Sequence, residues 1–153
     1  MLTTASSPDV LRHLQSLVAL NIDSAKGFSV AAEVIKNARI AAFFRECADG
    51  RDAQAAQLQA ALAATGESPT NDGSAIGTMH RWWLNLRGTI ADGEEHAVLA
   101  EAERGEDSIK KEYEKALTAA SGQQMHAMLL HQYAAVKNTH DHVRDMRDAA
   151  SKK

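Results

Sequence analysis

Residues 8–37 read PDVLRHLQSLVALNIDSAKGFSVAAEVIKN, and the spacing of the side chains in this stretch decides the fold. Apolar and small residues recur at alternating steps of three and four, which is the pattern of a long helix that packs against other helices. Ser7 and Pro8 are the residue types favoured at a helix N-cap and at the first helical position. The predicted inward face consists of Leu11, Leu14, Val18, Asn21, Ala25, Phe28, Ala32 and Ile35.

Three further stretches repeat this pattern and predict helices at about residues 39–65, 94–120 and 123–150. Gly66 and Gly122 follow two of these stretches, at positions where glycine commonly ends a helix. No stretch alternates with a period of two, so the predicted class is all-α. The predicted inward face of the second helix consists of Ala41, Phe44, Ala48, Arg51, Ala55, Leu58 and Leu62. That of the third helix consists of Leu99, Ala102, Glu106, Ile109, Tyr113, Ala116 and Ala120. That of the fourth helix consists of Met125, Leu129, Gln132, Val136, Thr139, Val143 and Met146.

The lengths of the connections predict the topology of a single domain over residues 1–153. Helices joined by short links are antiparallel neighbours, which applies to the first pair and to the second pair. Residues 66–93 instead form a long crossover, which can travel the roughly 40 Å length of such a helix. We therefore predict a ferritin-like, up-down-down-up four-helix bundle with one long crossover. A linker between two separate hairpins is disfavoured, because each hairpin alone would expose its inward face.

The crossover is predicted to carry a short extra helix near residues 76–86, with Ile76, Met79 and Trp83 on its packed side. Adjacent residues of a helix do not share a face, so Trp82 points away from this side. An exposed aromatic side chain of this kind is a candidate contact for self-association.

Composition excludes several classes of protein. The chain has 153 residues, a formal net charge of −3 and a single cysteine. A slightly acidic domain is unlike a nucleic-acid-binding one, and one cysteine excludes an internal disulfide framework. No apolar run approaches the ~20 residues that a membrane span needs, and residues 1–8 lack the order of a secretion signal. We therefore expect a cytoplasmic protein with no nucleic-acid partner and no membrane span.

Three runs of sequence resemble signatures of one small family. These runs are GTMHRWWLNLRG at residues 77–88, AEAERGED at residues 100–107, and HDHVR at residues 140–144 followed by MRD at residues 146–148. The chain is similar, from about Val10 onwards, to the bacterial family called domain of unknown function 2383. The resemblance implies a ferritin-like four-helix bundle in a bacterial cytoplasm, distantly similar to bacterioferritin and rubrerythrin. It implies no particular activity.

The ligand pattern of a di-iron centre is missing from the sequence. Such a centre takes one Glu from each of two helices and a Glu-x-x-His motif from each of the other two. The chain contains no Glu-x-x-His; the nearest patterns are Lys137-x-x-His140 and Glu103-x-x-Glu106. The second helix carries Arg51 on its inward face, where a positive charge would repel a bound cation. We therefore predict no di-iron centre and no cofactor.

Arg51, Glu106 and either His140 or Thr139 fall at one height when residues are counted from the predicted helix ends, roughly 18 Å below one end of the bundle. A buried arginine must be paired, because an isolated buried charge costs several kcal/mol. Glu106 is the inward carboxylate at this height. We therefore predict a buried polar layer built on an Arg51–Glu106 ion pair, with Asn21 and His140 as candidate hydrogen-bond partners.

These observations predict a non-enzymatic bundle that works as a partner-binding or stress-associated module. Cys47 lies beside the inward face of the second helix and is expected to be a small buried apolar group. The alternative is a metal-binding ferritin-like protein, for iron handling or as an oxidase. That alternative would hold iron or another divalent metal in a reduced site made of Glu103, Glu106 and His140.

Overall fold

The structure is a computed structural model that describes residues 8–67 and 95–151. These residues form four α-helices and contain no strand, which confirms the predicted all-α class. The helices are α1 (Pro8–Val34), α2 (Ala38–Ala64), α3 (Glu95–Ala119) and α4 (His126–Ser151).

The break between α1 and α2 comes earlier than the sequence indicated, because Asn37 begins the second helix. The Asn37 side-chain oxygen accepts hydrogen bonds from the backbone N–H groups of Arg39 at 3.0 Å and Ile40 at 3.2 Å. The Asn37 backbone is extended, with φ −76° and ψ 111°, as an N-cap requires. A residue in this conformation cannot continue the preceding helix, and α1 ends three residues before it, at Val34.

Both predicted glycine stops are present. Gly66 has a φ of 90° and Gly122 a φ of 76°, in the left-handed region that only glycine enters easily. After Gly66, the N–H of Glu67 donates to the Leu62 carbonyl at 3.2 Å, which is the long hydrogen bond of a Schellman motif. After Gly122, the chain makes further turns, so α4 begins at His126 rather than at residue 123.

The predicted inward faces form the core. Every residue predicted to face inward on α2 and α3 is buried, and on α1 all are buried except Leu11, which is half-buried. On α4, Leu129, Gln132, Val136 and Val143 are buried. The remaining predicted positions of α4 are half-buried, so this helix presents the narrowest buried stripe of the four described.

The helices pair as two hairpins. The first hairpin is α1 with α2, joined through residues 35–37, and the second hairpin is α3 with α4, joined through residues 120–125. Asn37 Nδ2 donates to Glu95 Oε1 at 3.2 Å, so α2 and α3 begin at the same end of the bundle. His13, near the start of α1, contacts Glu112 in the second half of α3, with 3.1 Å between Nδ1 and Oε1. Because of these two contacts, α1 runs opposite to α3, and α2 runs in the same direction as α3.

Several predictions lie outside the described residues. They concern most of the crossover at residues 66–93, its short helix near residues 76–86, and Trp82. Within residues 8–67 and 95–151, the helices lack the combination of length and apolar character that crossing a lipid bilayer requires.

Candidate functional site: a buried polar layer

A bidentate ion pair lies at the centre of the bundle. Arg51 of α2 and Glu106 of α3 have side chains that are only 3% and 1% exposed. Arg51 Nη1 donates to Glu106 Oε1 at 2.6 Å, and Arg51 Nη2 donates to Glu106 Oε2 at 2.7 Å. This parallel arrangement matches the planar guanidinium to the planar carboxylate and uses both carboxylate oxygens. The structure thus brings together the two residues on which the predicted layer is built.

The first helix completes the surroundings of the guanidinium. Arg51 Nη1 also donates to Ser24 Oγ at 2.9 Å, and the guanidinium carbon lies 5.5 Å from the centre of the Phe28 ring, a cation–π distance. Burial by itself lowers the pKa of Arg51, but the charge and hydrogen bonds of Glu106 outweigh burial and raise the pKa above its ordinary value. Arg51 is therefore a permanent internal cation.

A second group of buried hydrogen bonds centres on Tyr113. The Tyr113 hydroxyl donates to Gln132 Oε1 at 2.8 Å and accepts from Asn21 Nδ2 at 2.9 Å. Asn21 Nδ2 also donates to the Leu17 carbonyl at 2.8 Å. Burial raises the pKa of the Tyr113 hydroxyl to about 12, so it is a neutral donor at physiological pH. Asn21 therefore contributes to the buried layer through Tyr113 rather than through the ion pair.

Glutamine side chains extend this group across to α2. Gln132 Nε2 donates to Gln57 Oε1 at 2.8 Å and approaches the Gln54 carbonyl at 3.4 Å. Gln54 Nε2 approaches the Gln132 carbonyl at the same distance of 3.4 Å. These reciprocal amide contacts join α2 to α4.

Cys47 lies one helical turn before Arg51 and is 9% exposed, which confirms the prediction of a buried small side chain. Burial raises the pKa of the Cys47 thiol to about 12, although the nearby Arg51 charge opposes this rise. The neighbouring Thr139 of α4 also lowers the pKa of the thiol, to a smaller extent. A thiol with so high a pKa is not a nucleophile at neutral pH, because the thiolate is the reactive form.

His140 is not part of the buried ion pair. Its Nε2 lies 2.7 Å from Asp107 Oδ1 and its Nδ1 lies 3.1 Å from Asp141 Oδ1, at the surface between α3 and α4. Its side chain is 12% exposed. The physical reason is the choice of partner: Asp107 and Asp141 lie within hydrogen-bond distance of the two ring nitrogens, and both oxygens of Glu106 are engaged by Arg51. The expectation that His140 hydrogen-bonds within the core layer is therefore corrected.

The alternative ligand set of Glu103, Glu106 and His140 is spread over different contacts. Both oxygens of Glu106 bind Arg51, whereas Glu103 forms an ion pair with Arg147. Glu103 Oε2 lies 4.0 Å from His140 Nε2. Among residues 8–67 and 95–151, no group of three or more His, Cys, Asp or Glu residues is arranged to hold a metal ion.

Several participants in the layer were not predicted from sequence to hydrogen-bond there, among them Ser24, Tyr113 and Gln132. Ser24 lies beside the predicted inward position Ala25, and nothing in its spacing marks it as an acceptor for arginine. Gln132 and Tyr113 did carry a signal, because both are polar residues at inward positions and must find partners there. Their mutual contact could have been inferred from that rule.

The fold and the layer define an all-α protein built from four described helices around a buried arginine–glutamate pair. Residues 9–119 match the family described as a domain of unknown function, DUF2383. The match covers well over half of the chain, so the chain belongs to this family, as the resemblance of its sequence runs predicted. No significantly similar protein is found among curated proteins.

Proposed function

We propose that this protein is a ferritin-like bundle whose ionic layer takes the place of a metal centre, and that it acts as a non-enzymatic partner-binding or stress-associated module. The observation that carries the proposal is the Arg51–Glu106 pair. A divalent cation at Glu106 would have to displace a bidentate guanidinium or lie beside it, and both arrangements are electrostatically unfavourable. The guanidinium of Arg51 therefore supplies the positive charge of the layer.

The helix directions support the ferritin-like part of the proposal. The first helix runs opposite to the second and the third, and the third runs opposite to the fourth, as their contacts and short turns require. Residues 65–94 connect opposite ends of the bundle. A four-helix bundle with one long connection of this kind is the arrangement of ferritin-like folds.

The metal-binding alternative has less support from the contacts. Glu103 is engaged by Arg147, and His140 lies between Asp107 and Asp141 rather than beside Glu106. A metal would have to break two ion pairs and the His140–Asp107 contact before these ligands could converge. We therefore propose a role that does not depend on bound iron.

Iron loading tests this proposal directly. Purified protein is incubated anaerobically with Fe(II), desalted and analysed for metal content, and oxygen uptake is then followed after exposure to air. We expect iron well below one ion per chain and no iron-dependent oxygen uptake. The matched variants are Glu106→Gln in the layer and Glu103→Gln at the surface. About two ions per chain that disappear in Glu106→Gln would refute the proposal, and one ion that disappears in both variants would favour the reduced site.

The role in the cell is tested by complementation. A strain that lacks the protein is grown under heat, oxidative and osmotic stress, and is then complemented with the wild type or with the variant Arg51→Met/Glu106→Leu. We expect both chains to restore growth equally, because the proposal assigns the layer to the architecture and the activity to the surface. Restoration by the wild type alone, at equal protein levels, would show that the layer itself carries the activity.

A further inference from the structure

We propose that the first and second hairpins are exchangeable units, and that two copies of this chain can form a dimer in which each first hairpin docks on the second hairpin of the other copy. Each buried ion pair of the dimer would then join Arg51 of one copy to Glu106 of the other. The exchange of hairpins between copies does not depend on the presence or absence of a metal.

Each hairpin is held together by its own contacts. Residues 35–37 tie α1 to α2, and Ser24 of α1 binds Arg51 of α2 at 2.9 Å. Residues 120–125 tie α3 to α4, and Tyr113 of α3 binds Gln132 of α4 at 2.8 Å. Turns this short keep the two helices of a hairpin adjacent, so any exchange between copies must move a whole hairpin.

The interface between the hairpins is made of complementary halves. Arg51 and Asn21 belong to the first hairpin, and their partners Glu106 and Tyr113 belong to the second. A hairpin that lacks a partner would bury an unpaired charge or leave its inward face in water, and both states are costly. A second hairpin from another copy supplies the same groups in the same positions, so exchange would preserve every contact of the interface.

The length of the connection permits both arrangements. The end of α2 and the start of α3 lie at opposite ends of the bundle, separated by about the 40 Å length of a helix of this size. Residues 65–94 can span roughly 100 Å when fully extended. A connection of this length also gives the second hairpin an effective concentration around the first hairpin of the same chain that is no higher than about the millimolar range. At a comparable protein concentration, second hairpins of other copies therefore compete with it for the first hairpin during folding.

Variants with reversed charges test whether hairpins of different copies can pair. One chain carries Arg51→Glu and the other carries Glu106→Arg, so each alone has two like charges in its layer. After exchange between the two chains, one interface pairs Glu with the new Arg, and the other pairs the original Arg51 with the original Glu106. We expect the mixture, refolded together, to regain the helical circular-dichroism signal of the wild type. We also expect it to sediment as a heterodimer, whereas each chain refolded alone does neither.

The control is a single chain that carries both changes, which should fold as a monomer because its reversed pair is complementary within one chain. If this control folds while the mixture behaves as the sum of its two components, the proposal is wrong.

Wild-type protein supplies a second test that needs no substitution. Isotope-labelled and unlabelled chains are refolded together at about 0.5 mM, near the effective concentration of the linked hairpins.

Native mass spectrometry then counts dimers of mixed mass. We expect mixed dimers after joint refolding, and few when the two samples are folded separately and then combined, since exchange requires the hairpins to separate. Monomers alone after joint refolding would overturn the proposal. Equal mixing by both routes would also overturn it, because that result identifies an ordinary side-by-side dimer.

Discussion

Glu103 and Glu106 lie three residues apart on α3, and each pairs with an arginine, but the two pairs differ in their access to water. In the Arg51–Glu106 pair the side chains are 3% and 1% exposed, whereas in the Arg147–Glu103 pair they are 31% and 12% exposed. Loss of one member of the buried pair leaves a charge that water cannot reach, while loss of Arg147 leaves the Glu103 charge in a place that water reaches in part. The same chemical pair is thus fully buried in the core in one place and half-buried in the other.

The largest expected effect is on the buried pair. Either Arg51→Ala or Glu106→Ala should lower the free energy of unfolding by about 3–5 kcal/mol, because the remaining charge is left buried and unpaired. The double variant Arg51→Met/Glu106→Leu should recover much of this loss, since well-packed apolar replacements of a buried pair are often neutral or stabilising. Urea denaturation of the wild type, Arg51→Met, Glu106→Leu and the double variant Arg51→Met/Glu106→Leu, analysed as a double-mutant cycle, measures the coupling. Additive losses would contradict the assignment of this pair to the core.

The next-largest expected effect is a difference in the free energy of unfolding between variants of the two tyrosines of the second hairpin, Tyr113 and Tyr133. Tyr113→Phe removes a hydroxyl that serves both Asn21 and Gln132, so it should cost about 1–3 kcal/mol through the unpaired buried groups. The matched control is Tyr133→Phe, which removes an exposed hydrogen bond of 2.8 Å to Glu114. The control should change the free energy of unfolding by less than about 0.5 kcal/mol. Equal losses in the two variants would show that the buried network contributes no more than the surface one.

Alkaline pH provides a probe of the same core. The pKa of Cys47 rises from 9.0 to about 12 on folding, so the folded protein holds this proton more tightly than the unfolded chain does. The resulting stabilisation is complete below pH 9 and is lost as the pH rises towards 12. Between pH 9 and 10 we expect a loss of about 1 kcal/mol that is missing in Cys47→Ala.

The measurement is urea denaturation of both proteins at closely spaced pH values. Comparing the slopes, rather than the absolute free energies, removes the packing cost of the shortened side chain. Parallel slopes for the wild type and Cys47→Ala would mean that the thiol is accessible to solvent in the folded protein.

The smallest effect is expected at the surface pair. Arg147→Gln should lower the free energy of unfolding by about 0–1 kcal/mol at low salt, and this difference should shrink in 1 M NaCl because salt screens the partly exposed Arg147 charge. The loss caused by Arg51→Ala should persist at the same salt concentration, since the buried pair is screened much less. A salt-independent effect of Arg147→Gln would mean that this contact behaves like the core pair.

Sequence reasoning succeeded where the physics is local or periodic. Helical periodicity placed Arg51 and Glu106 on inward faces, and helix lengths placed both residues at one height, so their contact followed from counting residues. It failed for His140, because the carboxylate that this imidazole contacts, Asp107, depends on how α3 and α4 pack together. Three of the positions predicted to face inward on the last helix, namely Met125, Thr139 and Met146, are only half-buried in the structure.

The amino-acid sequence by itself determined the four described helices, their glycine stops and the register of their inward faces. These features depend on backbone propensity and on the period of 3.6 residues per turn, and both can be derived from the order of the residues in the chain. Only the tertiary structure decided that Ser24 accepts from Arg51, that Asn21 binds Tyr113, and that Glu103 and Glu106 have different arginine partners. Such choices depend on the rotation and separation of packed helices to within about an ångström, because hydrogen bonds form only over a narrow range of distance and angle.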